Sequence, residues 1–158
     1  MTSHGYEGVD VSSDGRFVYA ALQRGFIKGD DYARIMRYDT QNDEWVTARY
    51  PMKEVNTDTS LWMGISEITL LDEDATMLVV ERDKGVGGSA EIKRIYRVDV
   101  AGMSEDAELE KFLVKDLRQD ADMLQEKVEG MTVFGGDVWV VNDNDGAGWT
   151  RLINVGTP

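Results

Sequence analysis

Residues 142–146 read Asn-Asp-Asn-Asp-Gly and place four oxygen-bearing side chains in succession beside a glycine-rich loop. Carboxylate, amide and carbonyl oxygens are the ligands that Ca²⁺ prefers in proteins. The spacing Asp143-x-Asp145-Gly146 partly matches a calcium loop, without the downstream bidentate Glu of an EF-hand. We therefore predict a calcium site with Asn142, Asp143 and Asp145 as ligands. The alternative is a polar turn whose side chains cap backbone groups.

A second group of charged residues, Glu81, Arg82, Asp83 and Lys84, ends an apolar run that is typical of a strand. Glu81 and Asp83 supply two carboxylates, which is the minimum for acid and base catalysis, and we predict both as catalytic. Arg82 and Lys84 supply cations that can hold an anionic oxygen, and we predict both as substrate-binding. The alternative is a salt-bridged strand end without a chemical role.

Three glutamates recur at intervals of about 60 residues, namely Glu7, Glu67 and Glu129. Carboxylates brought together in this way can bind cations, or can act as acid and base if one pKa is raised by its like-charged neighbours. Glu129 is accordingly the third residue that we predict as catalytic. The alternative is a structural role, in which each glutamate fixes the adjacent turn.

The composition excludes several other chemistries. The chain of 158 residues has no Cys and a single His, His4, which removes cysteine nucleophiles and thiolate metal sites and argues against Ser-His-Asp catalysis. Its 30 Asp and Glu against 17 Lys and Arg leave a net charge of −13, so a nucleic-acid partner is not expected. The 42% hydrophobic content fills one core without suggesting a membrane span, and no signal peptide is visible.

The glutamates belong to a longer repeat that must position them. Each one opens a short apolar segment, which is followed by a turn of Asp, Gly or Ser and then by a second apolar run. A third strand follows as residues 34–39, 94–99 and 151–155, and a fourth as residues 45–50 and 112–117. The last copy has no fourth strand. The pattern predicts groups of four antiparallel strands.

Such groups indicate an all-β chain that forms a partial β-propeller of about three four-stranded blades, at approximately residues 5–52, 65–118 and 127–158. The competing fold is a β-sandwich, which does not require each group to restart with the same Glu and turn. In a propeller the glutamate-led strands lie nearest the central channel.

Three blades are fewer than the four to eight that close a ring. An open arc exposes the apolar faces of its terminal blades, which a longer chain or a second copy would cover. We therefore expect either a fragment of a longer propeller or a homodimer of two arcs that completes the ring.

Several segments together carry a family resemblance: residues 5–8, 34–35, 38–39, 67, 78–83, 127–131 and 142–145. In their order and spacing they resemble the C-terminal part of the phytase-like domain family, also described as esterase-like activity of phytase. The resemblance covers nearly the whole chain, and the departure lies at Glu67, which no glycine follows. It implies a β-propeller, export to a secreted or periplasmic location, and hydrolysis of phosphate or carboxylate esters.

Two functions follow as hypotheses. The first is a phytase-like hydrolase of small anionic esters, in which bound Ca²⁺ offsets the repulsion between an acidic chain and an anionic substrate. The second is a noncatalytic propeller that serves as a binding or assembly module, or an inactive fragment of a longer propeller.

Overall fold

The computed structural model describes residues 5–26, 31–52, 62–72, 76–85, 87–121, 127–143 and 149–158. Within these ranges eleven strands form three separate antiparallel sheets, accompanied by one 3₁₀ turn and one four-residue helix. The predicted all-β class is therefore confirmed. No helix in this part of the chain is long and apolar enough to cross a membrane.

Each sheet is built from strands that follow one another along the chain. The first sheet contains β1 (Tyr6–Val11), β2 (Phe17–Leu22), β3 (Tyr32–Asp39) and β4 (Glu44–Pro51). The second contains β5 (Met63–Asp72), β6 (Thr76–Asp83), β7 (Lys93–Asp99) and β8 (Lys111–Asp116). The third contains β9 (Lys127–Phe134), β10 (Asp137–Asp143) and β11 (Leu152–Asn154), and the short helix α1 (Leu117–Asp120) follows β8.

Local sequence explains the strand pattern. Strand β6 carries an uninterrupted apolar run and is buried on both faces, because the second sheet lies between the other two. The β9–β10 hairpin turns at Gly135 and Gly136, whose φ angles of 65° and 87° suit a tight turn that few other residues accept. Strand β3 begins with an alternation of half-buried and buried residues, which is typical of a sheet with one face on a core.

Two hydrophobic cores lie between neighbouring sheets. The first lies between the first and second sheets and includes Tyr19, Ile35, Tyr50, Ile68 and Val79. The second lies between the second and third sheets and includes Leu78, Ile95, Val128, Val138 and Val140. Neighbouring residues of β6 thus enter opposite cores, as the alternation of side chains along a strand requires.

The first strands of the three sheets pack against one another without sharing a sheet: β1 lies against β5, and β5 against β9. Side chains link them to the neighbouring backbone. Asp10 Oδ2 accepts a hydrogen bond from the Leu70 amide at 2.7 Å, and Thr69 Oγ1 donates to the Met131 carbonyl at 3.0 Å. Ser66 Oγ donates to the Val128 carbonyl at 2.6 Å.

Strand pairing revises the alignment of the repeats. A β-bulge leaves Glu7 and Glu129 as extra residues in β1 and β9, and in β5 the extra residue is Ser66, one position before Glu67. Glu67 therefore corresponds to Gly8 and to the glycine that follows Glu129. The sequence spacing placed Glu67 one residue out of register, because the connecting loops differ in length between repeats.

We predict that Gly8 sets the spacing of β1 and β5. A Cβ at this position would lie 2.7 Å from the backbone nitrogen of Ile68, which cannot move without disturbing β5. Gly8→Ala should lower the free energy of unfolding, measured by urea denaturation, by about 1–3 kcal/mol.

Gly102→Ala is the matched control, because a Cβ there meets nothing within 4 Å. Equal stability changes for the two variants would show that the β1–β5 contact does not depend on the missing side chain.

Candidate functional site

The three sheets lie side by side at the end where β1, β5 and β9 begin, and we call this end the inner rim. Antiparallel pairing puts the ends of β2, β6 and β10 beside these starts, as in the pairs Tyr6 with Leu22 and Met63 with Asp83. The chain leaving β2 lies against β5, since the Gln23 carbonyl accepts from the Ile65 amide at 3.0 Å. The edges of neighbouring sheets thus meet at the inner rim.

Arg82 and Glu129 form an ion pair across two sheets at this rim. Arg82 Nη2 lies 2.5 Å from Glu129 Oε1, and the arginine side chain is only 5% exposed, against 27% for the glutamate. The bulge in β9 explains the position of Glu129, because it interrupts the regular pairing at this residue. Of the predicted site residues, these two are brought into direct contact.

The glutamates converge around this pair. Burial raises the pKa of Glu129, although the Arg82 guanidinium opposes the shift, and repulsion from Glu7 adds to it. Burial also raises the pKa of Glu67, and repulsion from Asp10 and Glu129 contributes. Despite the shifted register of β5, the three carboxylates therefore share one electrostatic environment.

Two arginine guanidinium groups lie close to one tryptophan ring at the rim. The guanidinium of Arg24 stacks at 3.9 Å from the ring centroid of Trp62, and that of Arg82 lies 5.5 Å from the same ring. Arg24 Nε donates to the Met63 carbonyl at 3.0 Å. Burial lowers the pKa of Arg24 to about 10, so that the group remains protonated at neutral pH.

Glu81 lies away from this cluster, in the core between the first and second sheets. It is fully buried, and its Oε1 accepts hydrogen bonds from the Tyr50 hydroxyl at 2.6 Å and from Lys111 Nζ at 2.5 Å. Glu81 and Arg82 face opposite sides of β6, which is why adjacent residues of one motif enter different environments. The structure places Glu81 in a buried network that joins two sheets.

Asp83 organises the loop that follows β6. Its carboxylate accepts hydrogen bonds from three backbone amides, those of Gly85 at 2.8 Å, Glu91 at 2.6 Å and Ile92 at 2.8 Å. The side chain is fully buried. The next residue, Lys84, is exposed, and its backbone amide donates to the Trp62 carbonyl at 3.0 Å. The four residues of the predicted site therefore lie in different environments.

The predicted calcium ligands are only partly visible. Asn142 is buried, its Oδ1 accepts from the Arg151 amide at 2.6 Å, and its Nδ2 donates to the Trp149 carbonyl at 3.0 Å. Both polar atoms of the Asn142 side chain are thus bonded to backbone groups of the segment that follows. Asp143 is exposed, and Asp145 lies outside the described residues. Among the residues that the structure describes, no group of three acidic or histidine side chains could hold a metal ion.

Sequence reasoning missed Arg24, Gln23 and Trp62. Gln23 Nε2 donates to Glu7 Oε1 at 2.7 Å, and pairing shows that Gln23 follows β2 at the position that Arg82 occupies in β6. That equivalence was available from the repeat. The approach of Trp62 to two arginines was not, because it depends on how the sheets pack.

The raised pKa of Glu67 predicts a pH-dependent stability difference. A carboxyl whose pKa is higher in the folded chain than its ordinary value of 4.5 lowers the stability of the fold as pH rises from 4.5 to that higher pKa, and the loss persists above it. Glu67→Gln removes this cost and keeps an oxygen for the Ile68 amide. The variant should gain free energy of unfolding relative to the native chain between about pH 4 and about pH 8, measured by urea denaturation.

Glu44→Gln, on an exposed residue of β4, controls for the loss of one negative charge. A difference between native chain and Glu67→Gln that stays constant across this pH range would contradict the electrostatic argument.

The family model described as phytase-like, esterase-like activity of phytase, matches residues 1–146. No curated protein and no solved structure gives a significant match. Because the match spans most of the sequence, the chain belongs to the phytase-like family.

Proposed function

We propose that this chain hydrolyses small anionic esters of phosphate or carboxylate type, and that the inner rim is the reaction site. The observation that carries the proposal is the 2.5 Å ion pair of Arg82 with Glu129 in a cluster of carboxyls whose pKa values are raised by burial. Family membership supports a hydrolase-like domain.

Glu129 and Glu67 are suited to different roles. We assign the base to Glu129, because its carboxylate is paired with the Arg82 guanidinium and can take a proton from an attacking water. Burial, together with repulsion from Asp10 and Glu129, favours the protonated form of Glu67. In the proposed reaction water adds to the ester centre, Glu129 accepts its proton, and Glu67 protonates the leaving alcohol oxygen.

Positive charge at the rim serves substrate binding. The net charge of −13 repels an anionic ester from most of the surface. Arg24 and Arg82 provide two guanidinium groups beside one tryptophan ring, and guanidinium binds carboxylate and phosphate oxygens well. The proposed substrate anion therefore binds near Trp62.

The three sheets are proposed to be blades of a β-propeller. The contacts of β1 with β5 and of β5 with β9 support this arrangement, because they put the first strand of every sheet on the same inner side. The three glutamate-led segments belong to three sheets and do not join in a continuous one, which favours blades over a sandwich.

Calcium assistance is a separate part of the proposal. Since Asn142 is engaged in closing a loop, calcium binding would depend on Asp143 and Asp145. No step of the proposed hydrolysis is assigned to the ion. A cation bound there would reduce the repulsion of an anionic substrate by the chain.

The test is turnover of p-nitrophenyl phosphate and p-nitrophenyl acetate by the native chain and by Glu129→Gln. Loss of a general base is expected to lower kcat by about 10²–10⁴-fold. Parallel assays with EDTA and with added Ca²⁺ test metal assistance, which predicts that EDTA lowers the rate and that Ca²⁺ restores it.

Glu44→Gln again serves as the charge-matched control and should retain the native rate. Absence of turnover by the folded native chain, or full activity in Glu129→Gln, would overturn the assignment of the rim. A rate unaffected by EDTA would remove calcium and leave the glutamate mechanism in place.

A noncatalytic assembly module is the second candidate. It is favoured by exposed apolar side chains on the two outermost sheet faces, including Val9 at 65% and Phe134 at 76% exposure. This function predicts association without turnover, so the same preparations distinguish the two candidates.

A further inference from the structure

The first and third sheets each have one apolar face that no part of the described chain covers. On the first sheet the exposed residues are Tyr6, Val9, Val11 and Trp45. On the third sheet they are Phe134 and Leu152. Contiguous apolar surface of this kind marks an interaction site.

Strand register shows that the residues of the first sheet form one face. Val11 pairs with Val18, Val18 with Tyr38, and Tyr38 with Trp45, and directly paired residues lie on the same side of a sheet. The Tyr38 and Trp45 rings lie 4.8 Å apart. The opposite face of this sheet is the one that packs on the second sheet.

The third sheet has a polar side chain at the position that, in the other two sheets, bonds to the backbone of the next sheet. By strand register, Thr132 occupies in β9 the position of Asp10 in β1 and Thr69 in β5. Asp10 accepts from the backbone of β5, and Thr69 donates to the backbone of β9. Thr132 is exposed. The outer face of the third sheet therefore corresponds to the faces through which the first sheet contacts the second and the second contacts the third.

We propose that the outer face of the third sheet binds the outer face of the first sheet in a second copy of this chain, and reciprocally, so that two copies enclose one ring of six sheets. Six lies within the four to eight blades of known propellers, and a two-fold axis covers both open faces at once. The inference rests on the proposed blade arrangement. A closed ring would also put the inner rims of both copies around one centre.

The experiment measures mass in solution by sedimentation equilibrium over a concentration series at moderate ionic strength. The native chain is expected at twice the mass of one chain. Val9→Asp and Phe134→Asp each put a charge on one open face, and each should be monomeric, because every interface in the ring uses both faces. Phe112→Asp, at a residue of β8 that is 53% exposed, is the matched control and should remain dimeric.

Mixing the two monomeric variants gives the decisive result. Val9→Asp keeps an intact third-sheet face and Phe134→Asp an intact first-sheet face, so the mixture should regain one interface and form a heterodimer. Thr132→Arg provides a second disruption of the third-sheet face, and circular dichroism checks that all variants fold.

A monomeric native chain would overturn the proposal, as would dimerisation of Phe134→Asp and Thr132→Arg, which would indicate pairing of first-sheet faces with each other. Mass does not depend on turnover. Failure of the ring is therefore distinguishable from failure of the proposed hydrolase.

Discussion

Close packing of the first strands is the constraint on which the rest of the structure depends. The absence of a side chain at Gly8 lets β1 approach the backbone of β5. Asp10 stabilises the contact because its carboxylate accepts a hydrogen bond from the Leu70 amide. Because three bulged strands begin at the same edge, their acidic residues are forced together. Separation of these strands would disperse the glutamates and remove the electrostatic basis of the rim.

The rim combines features that oppose one another. Burial and mutual repulsion favour neutral carboxyls, whereas the Arg82 guanidinium favours an ionised Glu129. Carboxyls whose pKa values are shifted by burial and by charged neighbours are common at functional sites. The guanidinium of Arg24 lies 3.9 Å from the Trp62 ring centroid, and this contact restricts its movement.

The two buried acids of β6 show how similar residues acquire different roles. Glu81 joins two sheets through Tyr50 and Lys111, and Asp83 fixes a loop through backbone amides. Both occur in a motif that also contains the rim residue Arg82. The motif indicated charge at a strand end, but the partners of each charge depend on which sheet packs against which face of β6.

The strand positions, the repeat of consecutive antiparallel strands and the all-β class could be predicted from the sequence alone. These features depend on local alternation and turn residues, which short segments encode by themselves. Tertiary structure decided three other features: the register of Glu67, the hydrogen bonds of Asn142, and the contact of Trp62 with Arg24 and Arg82. They depend on bulges and inter-sheet packing between residues far apart in sequence, and local patterns carry no information about those contacts.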